Sequence, residues 1–482
     1  MKSLLHTASV FIYALSSCTI NTTPPDISFE EMLCSNQPSY WLPNPLAEQD
    51  ANLNDKLFVT ESIPTRASQK KPWTFIVYMA GDNDLRSFAS RNIRQMAAIG
   101  SNENINILVH LDIRINNNYK VTRRYLIEKN KVTHVNANDP KTQRMDSGDE
   151  KTLISCCEWA INNYPADNYA LIFWNHGTGV LDPERGRVIN PSSFFEFNPA
   201  TNMFDLDRSI GFLEAINEDE RGICWDDSTG HYLTNQKLDR ALEHVRTNLL
   251  NGGKLQIIGF DACLMSMLEV ANIAKKHADF MVSSQEVELG TGWNYAHVLA
   301  PFTEQAPTAE ELAQSIVHVY KQSYQQLTKD YTLSALKLQH IALIEKNIDD
   351  VARILLECLN VQQHNSVKNS LKASRNKLLC THFDEPSYID MHHFYENLEG
   401  NLQHFNLSSN TKLITILREK LIEGKKLIKQ AVVANVVGPH LSKAQGISVY
   451  FPERSMHSSY AKTTFAQSNN WIVMLKKYLF NR

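Results

Sequence analysis

The alternation of short apolar runs with helical segments is the feature of this sequence that most restricts its fold. Each apolar run ends at turn residues, as buried parallel strands do. The pattern predicts an α/β fold with a mostly parallel sheet flanked by helices. The predicted strands cover residues 73–79, 105–112, 169–174, 255–260 and 280–284. The predicted helices cover residues 85–99, 150–163, 234–250 and 264–277.

Two regions depart from this alternation. Residues 119–135 alternate apolar and polar side chains around a polar centre at 128–130, which predicts a β-hairpin. After Pro301, helical periods dominate at 309–326, 345–359 and 412–432, and a β element is predicted at 433–451. We therefore expect one α/β domain at residues 71–300 and a smaller α+β carboxyl-terminal subdomain at 301–482, packed on the sheet.

Two predicted strands run directly into reactive side chains. One leads into Asn175-His176-Gly177 and the other into Asp261-Ala262-Cys263. Because the carboxyl ends of parallel strands meet at one edge of a sheet, we expect His176 and Cys263 to face the same crevice. A thiolate nucleophile and an imidazole are the groups that acyl transfer requires. The backbone N–H groups of Gly177 and Cys263 are candidate donors to the oxyanion of a tetrahedral intermediate.

Each reactive residue also has an ordinary structural interpretation. A cysteine that follows an apolar strand is usually a small core residue. The presence of both residues is more specific than either alone, because a catalytic cysteine works with a histidine that is distant in sequence. In one known class of cysteine peptidase, the histidine precedes the cysteine in the chain. The order of His176 and Cys263 matches that arrangement.

Beyond these two residues, the sequence resembles the clostripain-like cysteine peptidases, which share the caspase–legumain–gingipain fold. The matching segments are residues 73–85 (WTFIVYMAGDNDL), 222–228 (GICWDDS), 232–234 (YLT), 284–295 (SQEVELGTGWNY) and 446–452 (GISVYFP). The resemblance covers most of residues 71–482. It implies a caspase-like sheet and a cysteine endopeptidase in which Cys263 is the nucleophile and His176 its acid–base partner.

The resemblance also implies a specificity pocket. In the Arg- and Lys-cleaving members, an aspartate two residues before the nucleophile contributes to the pocket floor, and that position is Asp261 here. A desolvated carboxylate favours a guanidinium or ammonium group strongly. Thr291 stands where some members have a second acidic residue, and an alternative role for Asp261 is to cap a helix that begins near Leu264. The predicted substrate-binding residues are Asp261, Ser284, Gln285, Thr291 and Trp293.

The segment between His176 and Asp226 has no regular period and is longer than most connections in compact domains. The resemblance implies activation by cleavage between the histidine and the cysteine, which places the cut in this segment. The alternative is a structured lid that is never cut. The candidate self-cleavage sites are Arg185, Arg187, Arg208 and Arg221.

Two acidic groups raise the question of a metal. Asp82-Asn83-Asp84 and Asp226-Asp227 carry oxygen ligands of the kind that calcium prefers, and the resemblance includes relatives that depend on calcium. Neither group has EF-hand spacing, and turn or cap roles are the alternative. The pair His392-His393 belongs to no zinc pattern. We expect no required cofactor and leave calcium open.

The amino terminus predicts export. A lysine precedes an apolar stretch at residues 4–15 that is too short to span a bilayer, which predicts a signal peptide at residues 1–17. The sequence Leu15-Ser16-Ser17-Cys18 resembles a bacterial lipobox, in which Cys18 is acylated, and Thr19 fits outer-membrane sorting. An ordinary secretory signal, giving a periplasmic or secreted protein, is the alternative. Residues 18–70 are rich in Pro, Asn and Ser, which indicates a tether or propeptide.

Composition excludes some classes of function. With 48 Lys and Arg against 52 Asp and Glu, the net charge of −4 does not indicate a nucleic-acid partner. Eight cysteines in 482 residues are too few for a disulfide framework, so those other than Cys18 and Cys263 are expected to be packing residues, with one or two disulfides as the alternative in an oxidising compartment. Two functions remain: a peptidase acting on protein or peptide substrates, and a catalytically idle envelope lipoprotein that uses the same scaffold for binding.

Overall fold

The computed structural model describes residues 57–60, 69–116, 119–181, 194–208, 222–360, 364–405 and 411–480. The predicted signal peptide, Cys18 and three of the arginines proposed for self-cleavage (Arg185, Arg187 and Arg221) lie outside these ranges. The strands are β1 (Phe58–Thr60), β2 (Lys71–Gly81), β3 (Ile105–Asn116), β4 (Tyr119–Glu128), β5 (Lys131–His134), β6 (Ala166–Trp174), β7 (Phe195–Asn198), β8 (Met203–Leu206), β9 (Ile223–Asp226), β10 (His231–Leu233), β11 (Leu255–Asp261), β12 (Ala278–Ser283), β13 (Thr332–Lys337), β14 (Tyr388–Asp390), β15 (Val432–Val437) and β16 (Ser448–Tyr450). The α-helices are α1 (Arg86–Ile99), α2 (Glu150–Asn163), α3 (Asn235–His244), α4 (Leu268–Ala274), α5 (Tyr295–Leu299), α6 (Ala309–Tyr324), α7 (Ile341–Leu359), α8 (His364–Ser374), α9 (Met391–Asn401), α10 (Thr411–Ala431), α11 (Thr464–Ser468) and α12 (Trp471–Phe480).

A ten-stranded sheet organises the fold in the order β1-β5-β4-β3-β2-β6-β11-β12-β13-β15. Its centre, from β3 through β2, β6 and β11 to β12, is parallel. The strands on either side are mostly antiparallel, including the predicted hairpin of β4 and β5. The predicted α/β fold with a mostly parallel sheet is therefore confirmed.

The two faces of the sheet are buried under different hydrophobic clusters. Along β2, Ile76 and Tyr78 belong to one cluster, while Phe75 and Val77 belong to the other. This division follows the two-residue period of a strand. Because both faces are covered, the central strands contain few polar residues and polar side chains concentrate at the strand ends.

The carboxyl-terminal half contributes to the same sheet. Strands β13 and β15 extend it beyond β12, whereas β16 pairs with β14 in a separate two-stranded sheet. The β element predicted at 433–451 is therefore two strands in two different sheets. The strands β13 and β15 thus lie in one sheet with the strands that carry His176 and Cys263.

One predicted helix begins later than expected. Residues 264–277 were expected to be helical, but α4 begins at Leu268. Leu264 has a left-handed backbone with φ of 62°, and its N–H donates to Glu286 O at 3.2 Å. A left-handed Leu is unfavourable by about 1–3 kcal/mol and interrupts a helix. The irregular segment before Leu268 holds Cys263 at the end of its strand.

Apart from Cys263, the described cysteines fit the expected packing role. Cys156, Cys157, Cys224, Cys263, Cys358 and Cys380 are all free and buried. Within the described ranges, no helix is both long and apolar enough to cross a membrane.

Candidate active site

His176 lies where two neighbouring parallel strands end. Strands β2 and β6 pair so that Met79 is opposite Trp174, and His176 follows shortly after. Its Nε2 lies 2.6 Å from Oδ1 of Asp84, just beyond the end of β2. The imidazole is 4% exposed and lies 4.9 Å from the ring of Trp225, centroid to centroid. The contact with Asp84 thus orients the imidazole ring through Nε2.

Sequence reasoning did not assign Asp84 this role. It grouped Asp84 with Asp82 as part of an acidic turn or a calcium site. One sequence signal could have identified Asp84 as the partner of His176. Asp84 follows a strand that was predicted to lie in the same sheet as the strand before His176. A carboxylate in this place orients the imidazole.

Cys263 is adjacent to the His176 loop through the backbone. The N–H of Asn175 donates to Asp261 O at 3.3 Å, continuing the pairing of β6 with β11. At Gly177, a Cβ atom would lie only 2.5 Å from the carbonyl oxygen of Cys263. Only glycine allows this approach without a shift in one of the two loops. The register of β6 and β11 thus brings the loops that bear His176 and Cys263 side by side.

The thiol of Cys263 is directed at Glu288 in this structure. Its Sγ accepts a hydrogen bond from the Glu288 N–H at 3.2 Å and lies 3.9 Å from Glu288 O. Cys263 is 5% exposed. Burial raises the pKa of Cys263 well above its ordinary value; the Glu288 N–H opposes this, and nearby carboxylates add to it. The group is therefore a protonated thiol in the conformation described, and it must turn away from Glu288 to attack a substrate.

The two amides predicted to hold an oxyanion are compatible with that role. Within the described residues, neither the Gly177 N–H nor the Cys263 N–H donates to a protein acceptor. Both belong to the loops that the close approach at Gly177 brings together. Preorganised donors of this kind stabilise the negative charge that develops in acyl transfer.

Asp261 is buried beneath these loops. Its carboxylate accepts from the Trp293 N–H at 3.0 Å and from the Tyr295 hydroxyl at 2.7 Å. Burial raises the pKa of Asp261 to about 7, although these two donors lower it. The alternative helix-capping interpretation of Asp261 is wrong, because α4 begins well after it and has Met267 at its N-cap.

The other predicted pocket residues divide into two groups. Thr291 and Trp293 belong to the segment that wraps Asp261, where a Cβ at Gly292 would lie 2.7 Å from the carboxylate oxygens. Ser284 and Gln285 have other partners: Ser284 Oγ donates to Glu286 O at 2.8 Å. Gln285 Nε2 donates to Asp390 Oδ2 at 3.1 Å, and its Oε1 accepts from the Gly446 N–H at 2.9 Å. The structure thus brings Trp293 to Asp261 and places Thr291 two residues before Trp293 in the same segment, whereas the bonds of Gln285 tie the end of β12 to later segments.

The acidic residues considered as calcium ligands are paired with protein cations. Arg114 Nε donates to Asp82 at 2.7 Å and lies 3.3 Å from Asp227. Lys120 forms ion pairs with Asp226 and with Asp82. Among the described residues, no group of three or more His, Cys, Asp or Glu side chains is arranged to hold a metal ion. The described carboxylates do not fit a calcium site, and calcium binding elsewhere in the chain stays a hypothesis.

Arg208 is the one self-cleavage candidate that the structure describes. Its guanidinium donates to Glu286 at 2.7 Å and to Asp330 at 3.1 Å, and both carboxylates are buried. Glu286 in turn accepts the Leu264 N–H through its backbone oxygen. The buried ion pairs of Arg208 therefore connect the segment after β8 to the turn that follows Cys263.

Comparison with known proteins agrees with this architecture. The model of the clostripain family matches residues 77–204 and 210–477. This chain belongs to the clostripain family. Clostripain of Hathewaya histolytica is 27% identical over 276 residues, which cover 52% of this chain and 46% of that relative. The match thus spans about half the length of that curated relative.

Solved structures of the clostripain family share the fold. A secreted C11 cysteine protease from Bacteroides thetaiotaomicron, in complex with an irreversible peptide inhibitor, gives a TM-score of 0.52 at 18% identity, covering 84% of this chain and 98% of that one. An inactive zymogen C11 protease from Parabacteroides distasonis gives a TM-score of 0.54 at 18% identity, covering 83% and 99%. The family predicted from the sequence is confirmed, and these structures support the fold.

The close approach at Gly177 generates a test of the geometry. We expect Gly177→Ala to destabilise the fold by about 1–3 kcal/mol, because the added methyl group overpacks the contact with Cys263. Gly400, in α9, is the matched control, since a Cβ there meets nothing within 4 Å. Gly400→Ala is expected to stabilise by up to about 1 kcal/mol. Thermal unfolding measures both, and equal melting temperatures for the two variants would contradict the contact.

Proposed function

We propose that this protein is a cysteine endopeptidase that cleaves peptide bonds after Arg or Lys. The observation that carries the proposal is the convergence of Cys263 with His176 at adjacent strand ends, with His176 held by Asp84 at 2.6 Å. Membership of the clostripain family supports the same activity.

The chemistry follows from these groups. The Cys263 sulfur attacks the substrate carbonyl carbon, and the N–H groups of Gly177 and Cys263 hold the oxyanion. His176 takes the thiol proton and gives it to the leaving amine nitrogen as the C–N bond breaks. A water molecule that loses a proton to His176 then attacks the thioester, which releases the acid product and restores the thiol. Asp84 keeps the imidazole oriented through both steps.

Basic specificity rests on Asp261. Its carboxylate is buried close to the nucleophile in sequence and in space. An Arg or Lys side chain would supply the positive charge that this site lacks, whereas a neutral side chain would leave the carboxyl uncompensated. Thr291 is neutral, so it cannot serve as a second acidic residue of the pocket. Asp261 therefore binds the substrate cation alone or together with a different acidic residue.

We propose that the protein is activated by self-cleavage between His176 and Cys263. The buried thiol of Cys263 and the long segment after His176 support a precursor form that is activated by cleavage in that segment. Arg208 is the least suitable of the four candidate sites, because its guanidinium is already bound by Glu286 and Asp330. We therefore place the cut after Arg185, Arg187 or Arg221.

The dyad is tested by a graded series of variants. Cys263→Ala should abolish hydrolysis of Arg peptides, and His176→Ala should nearly do so. Asp84→Asn should lower kcat/KM by about 10- to 1,000-fold, part of the roughly 10²–10⁴-fold that acid–base catalysis contributes. Cys358→Ala removes another buried thiol and serves as the control with unchanged kcat/KM.

Two outcomes of this series would contradict the proposal. Substantial turnover by Cys263→Ala would remove it as the nucleophile. An inactive wild-type protein that is folded and fully processed would favour the alternative of an idle binding lipoprotein. Mass spectrometry of the same samples reports whether wild-type enzyme cuts added Cys263→Ala protein, and after which arginine.

We also propose that Cys18 anchors the protein in a membrane. Acyl chains contribute about 0.8 kcal/mol per buried CH₂, so two or more chains hold a protein at a bilayer. Cys18→Ser should move the protein from the membrane fraction to the soluble periplasmic or secreted fraction. Labelling of cells with an alkyne fatty acid checks this, with Cys34→Ser as the control that keeps its label. An unlabelled wild-type protein would refute acylation.

A further inference from the structure

Glu288 carries a buried carboxylate that forms no hydrogen bond and no ion pair with any residue that the structure describes. Both of its side-chain oxygens are enclosed and unpartnered in the structure. No described Lys or Arg compensates for it, and its electrostatic neighbour is the Asp261 carboxylate. Buried carboxylates are ordinarily paired or hydrogen-bonded, so an isolated one requires a functional explanation.

The location of Glu288 explains what could pair with it. Its backbone N–H contacts the sulfur of Cys263 at 3.2 Å, so the Glu288 side chain branches from a residue whose own backbone contacts the nucleophile. Asp261, the proposed specificity residue, is close enough to raise the pKa of Glu288, after the larger effect of burial. Two acidic groups therefore share one buried site beside the reacting thiol.

The described titratable groups that interact with Glu288 are acidic or aromatic, apart from the Cys263 thiol. From β11 and its turn come Asp261 and Cys263, from α5 comes Tyr295, and from α6 come Tyr320 and Tyr324. Arg91 of α1 is near Tyr324, and it forms no ion pair with Glu288. Aromatic rings around two carboxyls suit a guanidinium or ammonium group, which binds both kinds of surface.

We propose that Glu288 and Asp261 together form the cation-binding floor of the specificity pocket, and that the empty pair holds one proton which an Arg or Lys side chain displaces. This inference rests on the proposed endopeptidase function and names the second acidic residue, which Thr291 does not supply. When the substrate cation binds, the carboxylic acid releases its proton to solvent, and the resulting carboxylate pairs with the cation. Two adjacent buried carboxyls cannot both ionise without such a cation.

The direction of the pH dependence follows from this exchange. At low pH the pair is protonated, and a cation must compete with the proton. As pH rises, the proton is lost and the cation binds without competition. Selectivity for a cationic residue should therefore rise with pH by up to about tenfold per unit, because one proton is released, and then level off.

The decisive experiment compares two peptides that differ only in charge. One has Arg before the scissile bond and the other has citrulline, which has nearly the same shape but is neutral. The ratio of their kcat/KM values, measured from pH 5 to 9, cancels the pH dependence of the dyad. For the wild-type protein we expect the ratio to rise with pH. For Glu288→Gln we expect it to be at least about 30-fold lower and nearly independent of pH.

Two further variants complete the comparison. Asp261→Asn should also reduce the ratio, since it removes the other half of the pair. Glu269→Gln is the control, because Glu269 is a buried carboxylate with one unpartnered oxygen whose partners are Tyr450 and Tyr460. It should leave the ratio and its pH profile as in the wild type.

The outcomes separate this inference from the proposed function. A wild-type ratio that is flat with pH would overturn the shared proton, and an unchanged ratio in Glu288→Gln would overturn the role of Glu288 while leaving Arg cleavage intact. If the wild type hydrolyses neither peptide, the proposed function fails. In that case, calorimetric titration of wild-type protein with Nα-acetyl-arginine amide and with its citrulline analogue tests the inference. Two buffers of different ionisation enthalpy show whether a proton is released on binding. Proton release with the arginine compound supports it, and equal binding of the two compounds refutes it.

Discussion

The parallel pairing of β6 with β11 is the constraint on which the rest of this structure depends. It places Asp261 opposite Trp174, so that the loops bearing His176 and Cys263 leave the sheet side by side. The pairing of β2 with β6 adds Asp84 from the other side. A shift of register by one residue would turn these side chains to the opposite face. Burial of both faces of the sheet determines the strand register, and the register determines where His176, Cys263 and Asp84 lie.

Burial near the strand ends has a second consequence. Cys263, Asp261 and Glu288 are all removed from water, so their charged forms are disfavoured in the conformation described. A substrate that brings a positive charge and moves the thiol away from Glu288 changes all three environments together. Binding and activation of the nucleophile would thus be coupled through one small group of residues.

Much of this could be read from the sequence, and the failures have physical causes. The strands that precede His176 and Cys263 are strongly apolar and end in turn residues, so their convergence followed from the fold class. The role of Asp84 depends on which strand lies beside β6, and local pattern does not encode that neighbour. Glu288 is recognisable only from the absence of partners, which packing by α5 and α6 determines. The late start of α4 results from the left-handed Leu264, which helical propensity does not predict.

The account rests most directly on Cys263 as the nucleophile that meets a basic side chain. Reaction of the folded protein with an arginyl chloromethyl ketone, followed by peptide mapping, tests both points at once. The account predicts a single adduct on Cys263, formed faster than the adduct of the matching citrulline reagent and absent from the other buried cysteines. Modification of a different cysteine, or equal rates with the two reagents, would contradict it.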